Sequence, residues 1–170
     1  MTAPALCDAP AAAPLPVAVR SPRILVIGYG NPGRQDDGLG PAAAAEIEAI
    51  GWANVTTTDN YQLAIEDAIQ VAAHDVVWFV DATKDGDAPC ALRRLAPALD
   101  FTFTSHLLSP ETVLAIAGQQ FGKSPEAHLV SIRGYEFDFA EGLSDGACAN
   151  LALGVALLRR RIGHSSRALR

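Results

Sequence analysis

The stretch that decides the fold is ILVIGYGNPGRQDDGLGPAAAAEI, residues 24–47. Its first four residues are aliphatic and are followed by Gly28, a pattern typical of a strand buried on both faces of a parallel sheet. A glycine-rich loop then leads to Pro41 and an alanine-rich run, and proline is tolerated in the first turn of a helix. Residues 24–47 therefore predict a strand, a loop and a helix, in that order.

The same alternation continues along the chain. Apolar and β-branched runs predict further strands at 55–58, 76–80, 90–95 and 129–132, and apolar spacing predicts further helices at 63–73, 111–121 and 143–162. This order favours a single α/β domain with three αβα layers around a mostly parallel twisted sheet. Ligands of such sheets bind at the carboxyl ends of the strands, so we expect sites after Ile27 and Val80.

The 170 residues suit about one domain. We expect a disordered Ala/Pro-rich leader at 1–22, the folded domain at 23–162 and a basic tail at 163–170. The leader carries no Lys or Arg before Arg20, which argues against a secretory signal or an Arg-rich transit peptide.

Charge, hydropathy and cysteine content exclude several classes of protein. A net charge of −6 and a pI near 5.1 do not fit a nucleic-acid-binding protein. The longest apolar run, 151–158, is far shorter than the roughly 20 residues that a membrane span needs. Cys7, Cys90 and Cys148 are scattered without a C-x-x-C spacing, which argues against a disulfide framework. We therefore expect a cytoplasmic protein that binds neither nucleic acid nor membrane.

The loop after the first predicted strand fits a nucleotide-binding pattern. Gly28, Gly30 and Gly33 satisfy G-x-G-x-x-G, and Asp59 lies 26 residues beyond Gly33. Pyrophosphate, however, needs amide donors at a helix N-terminus, and here the pair Asp36-Asp37 lies between the glycines and the helix. Because carboxylates repel phosphate, the pattern leaves nucleotide binding as an alternative only.

Two acidic positions and one histidine favour a metal-contacting site instead. The pair Asp36-Asp37 lies beside a tight glycine turn, although an acid there could also cap the following helix. Asp81 follows five apolar residues, so it should reach the same edge of the sheet. His106 lies in the loop before the helix predicted at 111–121, where an imidazole can face a crevice. Such oxygen and nitrogen ligands suit a transition-metal dication with open coordination positions.

These segments together resemble the [NiFe] hydrogenase maturation proteases. The resemblance rests on the string G-x-G-N-x4-D-D-G-x-G at residues 28–40, then Val80-Asp81-Ala82, then His106 with Ser109-Pro110, and it covers about residues 23–162. Proteins of this family are α/β endopeptidases that remove a C-terminal extension from the hydrogenase large-subunit precursor after nickel insertion.

The resemblance implies a site and a partner for this chain. Asp37, Asp81 and His106 correspond to the three groups with which the family engages the metal, and Asp36 would orient Asp37 or the loop. The nickel would arrive with the precursor, so the isolated enzyme needs no metal of its own. Two alternatives stay open: a nucleotide-binding protein that uses Gly28, Gly30, Gly33 and Asp59, and a metal-dependent maturation chaperone without peptidase activity.

Overall fold

A computed structural model describes residues 20–99 and 108–165 of the chain. In these residues the strands are β1 Ile24–Tyr29, β2 Val55–Asn60, β3 Val76–Thr83, β4 Cys90–Leu95 and β5 Glu126–Arg133. The helices are α1 Leu39–Glu48, α2 Asp67–Ala72, α3 Pro110–Phe121 and α4 Asp145–Ser165. A 3-10 segment, Pro32–Gly38, lies between β1 and α1.

The strands form one five-stranded sheet in the order β2-β1-β3-β5-β4. The first four strands of this order pair in parallel, and β4 pairs antiparallel with β5 at one edge. The predicted mostly parallel α/β sheet is therefore confirmed. The last pair of the ladder between β1 and β3 is Gly28 and Val80, so the carboxyl ends of these two strands lie side by side.

Two apolar cores cover the two faces of the sheet, because successive residues of a strand point to opposite sides. Ile24 and Val26 of β1 pack in a core with buried residues of α1 and α4. Leu25 and Ile27 pack in the other core with buried residues of α2 and α3. Helices on both faces of one sheet give the three-layer αβα domain that the sequence predicts.

Two glycines allow α1 to lie directly against the sheet. A Cβ atom on Gly28 would lie 2.1 Å from the carbonyl oxygen of Gly40, and one on Gly40 would lie 2.3 Å from the carbonyl oxygen of Tyr29. Any side chain at either position would therefore collide with backbone atoms. This close packing holds the loop between β1 and α1 over the carboxyl edge of the sheet.

The second helix is shorter than the sequence predicts. It covers Asp67–Ala72, whereas apolar spacing predicts a helix over 63–73. The carboxylate of Asp67 accepts hydrogen bonds from Ala64 N at 2.8 Å and from Asn60 Nδ2 at 2.9 Å. These bonds hold the preceding residues in a turn, so the prediction is wrong for the start of this helix.

The last helix begins two residues later than the predicted range of 143–162 and extends three residues beyond it. Ser144 precedes it, and its Oγ accepts a hydrogen bond from Ala147 N at 3.2 Å. A serine hydroxyl that accepts such a bond is a common cap of a helix N-terminus. The same hydroxyl donates to Asp36 Oδ2 at 2.8 Å, so a residue 108 positions away also fixes the start of α4.

Three expectations concern residues outside the described ranges. These are the structure of most of the leader 1–22, the placement of His106 and the course of most of the tail 163–170. Within residues 20–99 and 108–165, no helix combines the length and the apolar composition that a bilayer crossing requires.

Candidate active site at the carboxyl edge of the sheet

A cleft of about 440 Å³ opens at the carboxyl ends of β1, β2 and β3. It lies where doubly wound sheets usually bind ligands. Its described walls combine residues of β1, the β1–α1 loop, the β2–α2 connection, β3 and the segment just before α3. They are Tyr29, Gly30, Asn31, Arg34, Asp37, Tyr61, Gln62, Leu63, Asp81 and Leu108.

Asp81 is one of the two carboxylates that line this cleft. It lies one residue beyond the end of the β1 ladder, while β3 continues to Thr83 by pairing with β5. Burial raises its pKa to about 6, and the nearby charge of Asp37 acts in the same direction. Hydrogen bonds from Tyr29 and from Ala82 N, the latter 2.8 Å long, oppose that rise. Asp81 is thus an acid that titrates close to neutral pH.

Tyr29 is the side-chain partner of Asp81. It ends β1, and its hydroxyl donates a hydrogen bond to the Asp81 carboxylate. Burial and the negative charge of Asp81 raise the pKa of the Tyr29 phenol well above its ordinary value. The phenol therefore stays protonated at any physiological pH, so it acts on Asp81 only as a hydrogen-bond donor.

Asp37 reaches the cleft from the 3-10 segment Pro32–Gly38. Its Oδ2 accepts a hydrogen bond from Asn31 N at 2.9 Å. Gly30 makes this turn possible, because its φ of +136° is rarely adopted by other residues and a Cβ there would lie 1.9 Å from the Asp37 carbonyl oxygen. The turn thereby places a second carboxylate in the cleft that contains Asp81.

Asp36 points away from the cleft and is fully buried. Its carboxylate accepts hydrogen bonds from the backbone amides of Tyr135, Glu136 and Ser144 and from the Ser144 hydroxyl, at 2.7 to 2.9 Å. Burial alone would raise the pKa of Asp36, but these hydrogen bonds outweigh it and lower the pKa below its usual value. Asp36 therefore anchors the loop of residues 134–144, which joins β5 to α4.

Gln35 reinforces the same connection. Its φ of +49° is uncommon for a residue with a side chain, so this turn stores backbone strain. Its side chain donates to Glu136 Oε2 at 2.9 Å and accepts from Asp138 N at 3.0 Å, and its own amide donates to the Ala140 carbonyl at 2.9 Å. These contacts with the 134–144 loop hold the strained turn in place.

The described residues bring together two of the three predicted site residues. Asp37 and Asp81 line one cleft, and the charge of Asp37 acts on Asp81. His106 lies outside the described ranges, so its role stays a prediction. Among residues 20–99 and 108–165, no group of three His, Cys, Asp or Glu side chains is arranged to hold a metal ion.

The geometry weighs against the nucleotide alternative. After Gly33 the chain continues through the 3-10 segment, so α1 begins only at Leu39. Its N-terminus is therefore separated from the glycines by the two acidic residues, and a phosphate at the glycines would lack the helix amides that usually bind it. Asp59 is exposed on β2 and is not part of the cleft wall.

Sequence reasoning missed Tyr29 and Arg34 as residues of the cleft. The position of Tyr29 directly after the buried part of β1 could have indicated it, since the end of that strand was already expected to hold a site. No local signal identifies Arg34, because its place depends on the irregular backbone of Arg34 and Gln35 within the 3-10 segment.

The fold is similar to that of solved hydrogenase maturation proteases. The hydrogenase maturating endopeptidase HybD from E. coli matches with a TM-score of 0.68 and 23% sequence identity, over 84% of this chain and 93% of that chain. The [NiFe] hydrogenase maturation protease HycI from Thermococcus kodakarensis matches with a TM-score of 0.65 and 22% identity, over 83% and 92%. A hydrogenase 2 maturation peptidase from a Thaumarchaeota archaeon matches with a TM-score of 0.60 and 19% identity, over 83% and 98%.

No protein-family profile and no curated protein sequence matches the chain. The likeness to the solved structures nevertheless extends over most of both chains, so the resemblance expected from the sequence motifs is confirmed at the level of the fold.

Proposed function

We propose that this chain is an endopeptidase that removes the C-terminal extension of a nickel-loaded [NiFe] hydrogenase large-subunit precursor. Asp37, Asp81 and His106 would recognise the nickel that the precursor carries. The scattered cysteines suit a reaction in the reducing cytoplasm.

The observation that carries this proposal is the pairing of Asp37 and Asp81 in one cleft of this fold. The cleft lies at the edge where the sequence predicts the site, and its two carboxylates come from separate segments of the chain. Burial and like charge raise the pKa of Asp81 to about 6. Two carboxylates that share a cleft repel each other, and a dication on the substrate would stabilise both in their charged form.

The two carboxylates would contact the nickel from different sides. Asp37, on the loop, would contact the nickel from one side, and Asp81, one residue beyond the ladder between β1 and β3, from the other. The hydrogen bond from Tyr29 would keep Asp81 oriented and favour its ionised form. A dication held in this way can polarise a peptide carbonyl or lower the pKa of a water molecule, and either effect promotes hydrolysis.

The test is incubation of the protein with a purified large-subunit precursor, prepared once with nickel and once without. We expect the nickel-loaded precursor to lose a short C-terminal peptide, measured as a decrease in its intact mass. The nickel-free precursor should keep its full mass, because the two carboxylates would then meet no metal.

Two other outcomes would overturn the proposal. Stable binding of the nickel-loaded precursor with no loss of mass would indicate a chaperone rather than a peptidase. Equal shortening of both precursors would show that recognition does not depend on nickel.

A further inference from the structure

A second pocket, of about 500 Å³, adjoins the cleft. The two share Arg34, so this side chain forms part of the wall between them. Lys84, which follows β3, and Arg133, the last residue of β5, also line the second pocket. Three cationic side chains thus converge beside the candidate active site, in a chain whose net charge is −6.

Each of these cations lies over an aromatic ring of the 134–144 loop. The guanidinium carbon of Arg34 is 5.1 Å from the centre of the Phe139 ring, Lys84 Nζ is 4.5 Å from that of Phe137, and the guanidinium carbon of Arg133 is 5.5 Å from that of Tyr135. Ring contacts position a cation without neutralising its charge. We call this site the cation–aromatic pocket.

The three cations make no ion pair within the described ranges, whereas other cations of the chain do. Arg20 and Arg23 pair with Asp75, and Arg93 pairs with Glu111. The guanidinium of Arg34 donates from Nη2 to the Phe137 carbonyl at 3.3 Å, while its buried Nε finds no partner among the described residues. Arg133 Nη1 donates likewise to the Gly86 carbonyl at 3.3 Å. Both acceptors are neutral carbonyl oxygens, so the positive charges of the pocket are not neutralised by an ion pair with the described residues.

Two acidic residues also line the pocket and limit its net charge. Glu136 is hydrogen-bonded to Gln35, and Asp138 lies on the exposed side of the 134–144 loop. The charged lining residues thus carry only one more positive than negative charge. This balance fits a single carboxylate better than a phosphate of higher charge, which Glu136 and Asp138 would repel.

We propose that the cation–aromatic pocket binds a carboxylate of the peptide substrate, on the segment next to the bond that is cleaved in the cleft. This proposal rests on the proposed function for the identity of the substrate. Because Arg34 belongs to both sites, a peptide that crosses the cleft can place an Asp or Glu side chain against Arg34, Lys84 and Arg133. The pocket would thereby select substrates by their charge near the cleaved bond.

The test is an NMR titration of the ¹⁵N-labelled protein with a short peptide that has blocked ends and one glutamate. The glutamate peptide should shift the amide signals of residues 134–138, and the matching glutamine peptide should not. Lys84→Gln combined with Arg133→Gln should weaken binding about tenfold, as expected for the loss of two charge contacts. Lys123→Gln, which removes a cation at the far end of α3, serves as the matched control and should leave binding unchanged.

Three results would overturn the proposal. These are equal responses to the two peptides, unchanged affinity in the double variant, or stronger binding of inorganic phosphate than of the glutamate peptide. The unshifted remainder of each spectrum reports whether the variant has folded.

The titration uses neither precursor nor nickel, so its failure is distinct from failure of the processing assay. In that assay, the double variant should raise the KM for the precursor more than it lowers kcat.

Discussion

Asp36 and Asp37 are neighbours in the chain, yet they serve opposite sides of the same loop. The carboxylate of Asp36 is buried and accepts four hydrogen bonds, all from the 134–144 loop. Among the described residues, one hydrogen-bond donor, Asn31 N, reaches the carboxylate of Asp37, which lies in the cleft near Asp81. The difference shows that the hydrogen-bond donors around each carboxylate decide its role. Asp36, whose oxygens accept several hydrogen bonds, stabilises the loop, whereas Asp37, whose carboxylate lies in the cleft, can contact a ligand.

The pKa values of Asp36 and Asp81 also differ according to the hydrogen bonds that each carboxylate accepts. Burial acts to raise the pKa of both Asp36 and Asp81, but the hydrogen bonds around Asp36 reverse the effect, whereas those around Asp81 do not. The fold therefore favours the charged form of Asp36 and the neutral form of Asp81. Substitutions at these two positions should move stability in opposite directions.

The largest expected effect is the loss of processing when a cleft carboxylate is removed. Asp37→Asn or Asp81→Asn should each lower the rate of precursor processing on the order of 100-fold or more, because a neutral amide is a poor ligand and leaves the developing charge unbalanced. The initial rate of mass loss of nickel-loaded precursor measures the effect. Asp59→Asn, on the exposed side of β2, is the control, and a rate that falls as far in this variant would contradict the assignment.

The second effect concerns the anchor of the 134–144 loop. Asp36→Asn should lower the free energy of unfolding by about 3 kcal/mol, because an amide cannot accept all four hydrogen bonds and its NH₂ group would face backbone donors. Urea unfolding at pH 7 measures this loss. A change below about 0.5 kcal/mol, the range of an ordinary surface substitution, would show that Asp36 is no anchor.

The loss of unfolding free energy in Asp36→Asn should also depend on pH in a defined direction. Because folding lowers the pKa of Asp36, its contribution is fully present above the ordinary aspartate value of about 3.9 and disappears as the pH falls through the lower folded value. The difference in stability between the wild-type protein and Asp36→Asn should therefore shrink in acid. A difference that grows below about pH 4 would contradict this sign.

The third effect is a gain in the free energy of unfolding rather than a loss. Folding raises the pKa of Asp81 to about 6, so the ionised carboxylate destabilises the fold at neutral pH. Asp81→Asn should therefore raise the free energy of unfolding by about 2 to 3 kcal/mol at pH 8, even as it lowers the rate of processing. The gain should vanish as the pH falls through 6 towards the ordinary aspartate value, which urea unfolding at several pH values would show. A variant less stable than the wild-type protein at pH 8 would refute this account of the cleft.

The smallest effect is expected from Tyr29→Phe. Removal of the hydroxyl takes away a hydrogen bond that lowers the pKa of Asp81, so this pKa should rise further. The acid limb of the pH profile of processing should move to higher pH, with the rate at high pH changed only a few-fold. An unshifted profile would show that Tyr29 does not act through Asp81.

Much of the fold could be predicted because its signals are local. The aliphatic run of β1, the strand at 90–95 and the Ser109-Pro110 start of α3 all appear in the structure near their predicted positions. The helix predicted over 63–73 begins later than expected because its apolar spacing was misleading: Ile65 and Ile69 are 63% and 59% exposed. The short α2 instead depends on the hydrogen bonds of Asp67, which no periodicity reveals.

The site was predictable in part for the same reason. The end of a buried strand indicates Asp81 from its neighbours alone, and the family resemblance singles out Asp37. The sequence analysis expected Asp36 to orient Asp37 or its loop, but the partners that make it an anchor, Tyr135, Glu136 and Ser144, lie about 100 positions away, so no local pattern identifies them.

The central claim is that Asp37 and Asp81 contact the nickel of the precursor. It is tested most directly by the nickel X-ray absorption spectrum of the loaded precursor, recorded alone and after rapid freezing with an excess of this protein. The account predicts additional oxygen or nitrogen ligands on nickel with the wild-type protein and fewer of them with the Asp37→Asn, Asp81→Asn double variant. A nickel spectrum that the wild-type protein leaves unchanged, while the precursor is still shortened, would contradict it.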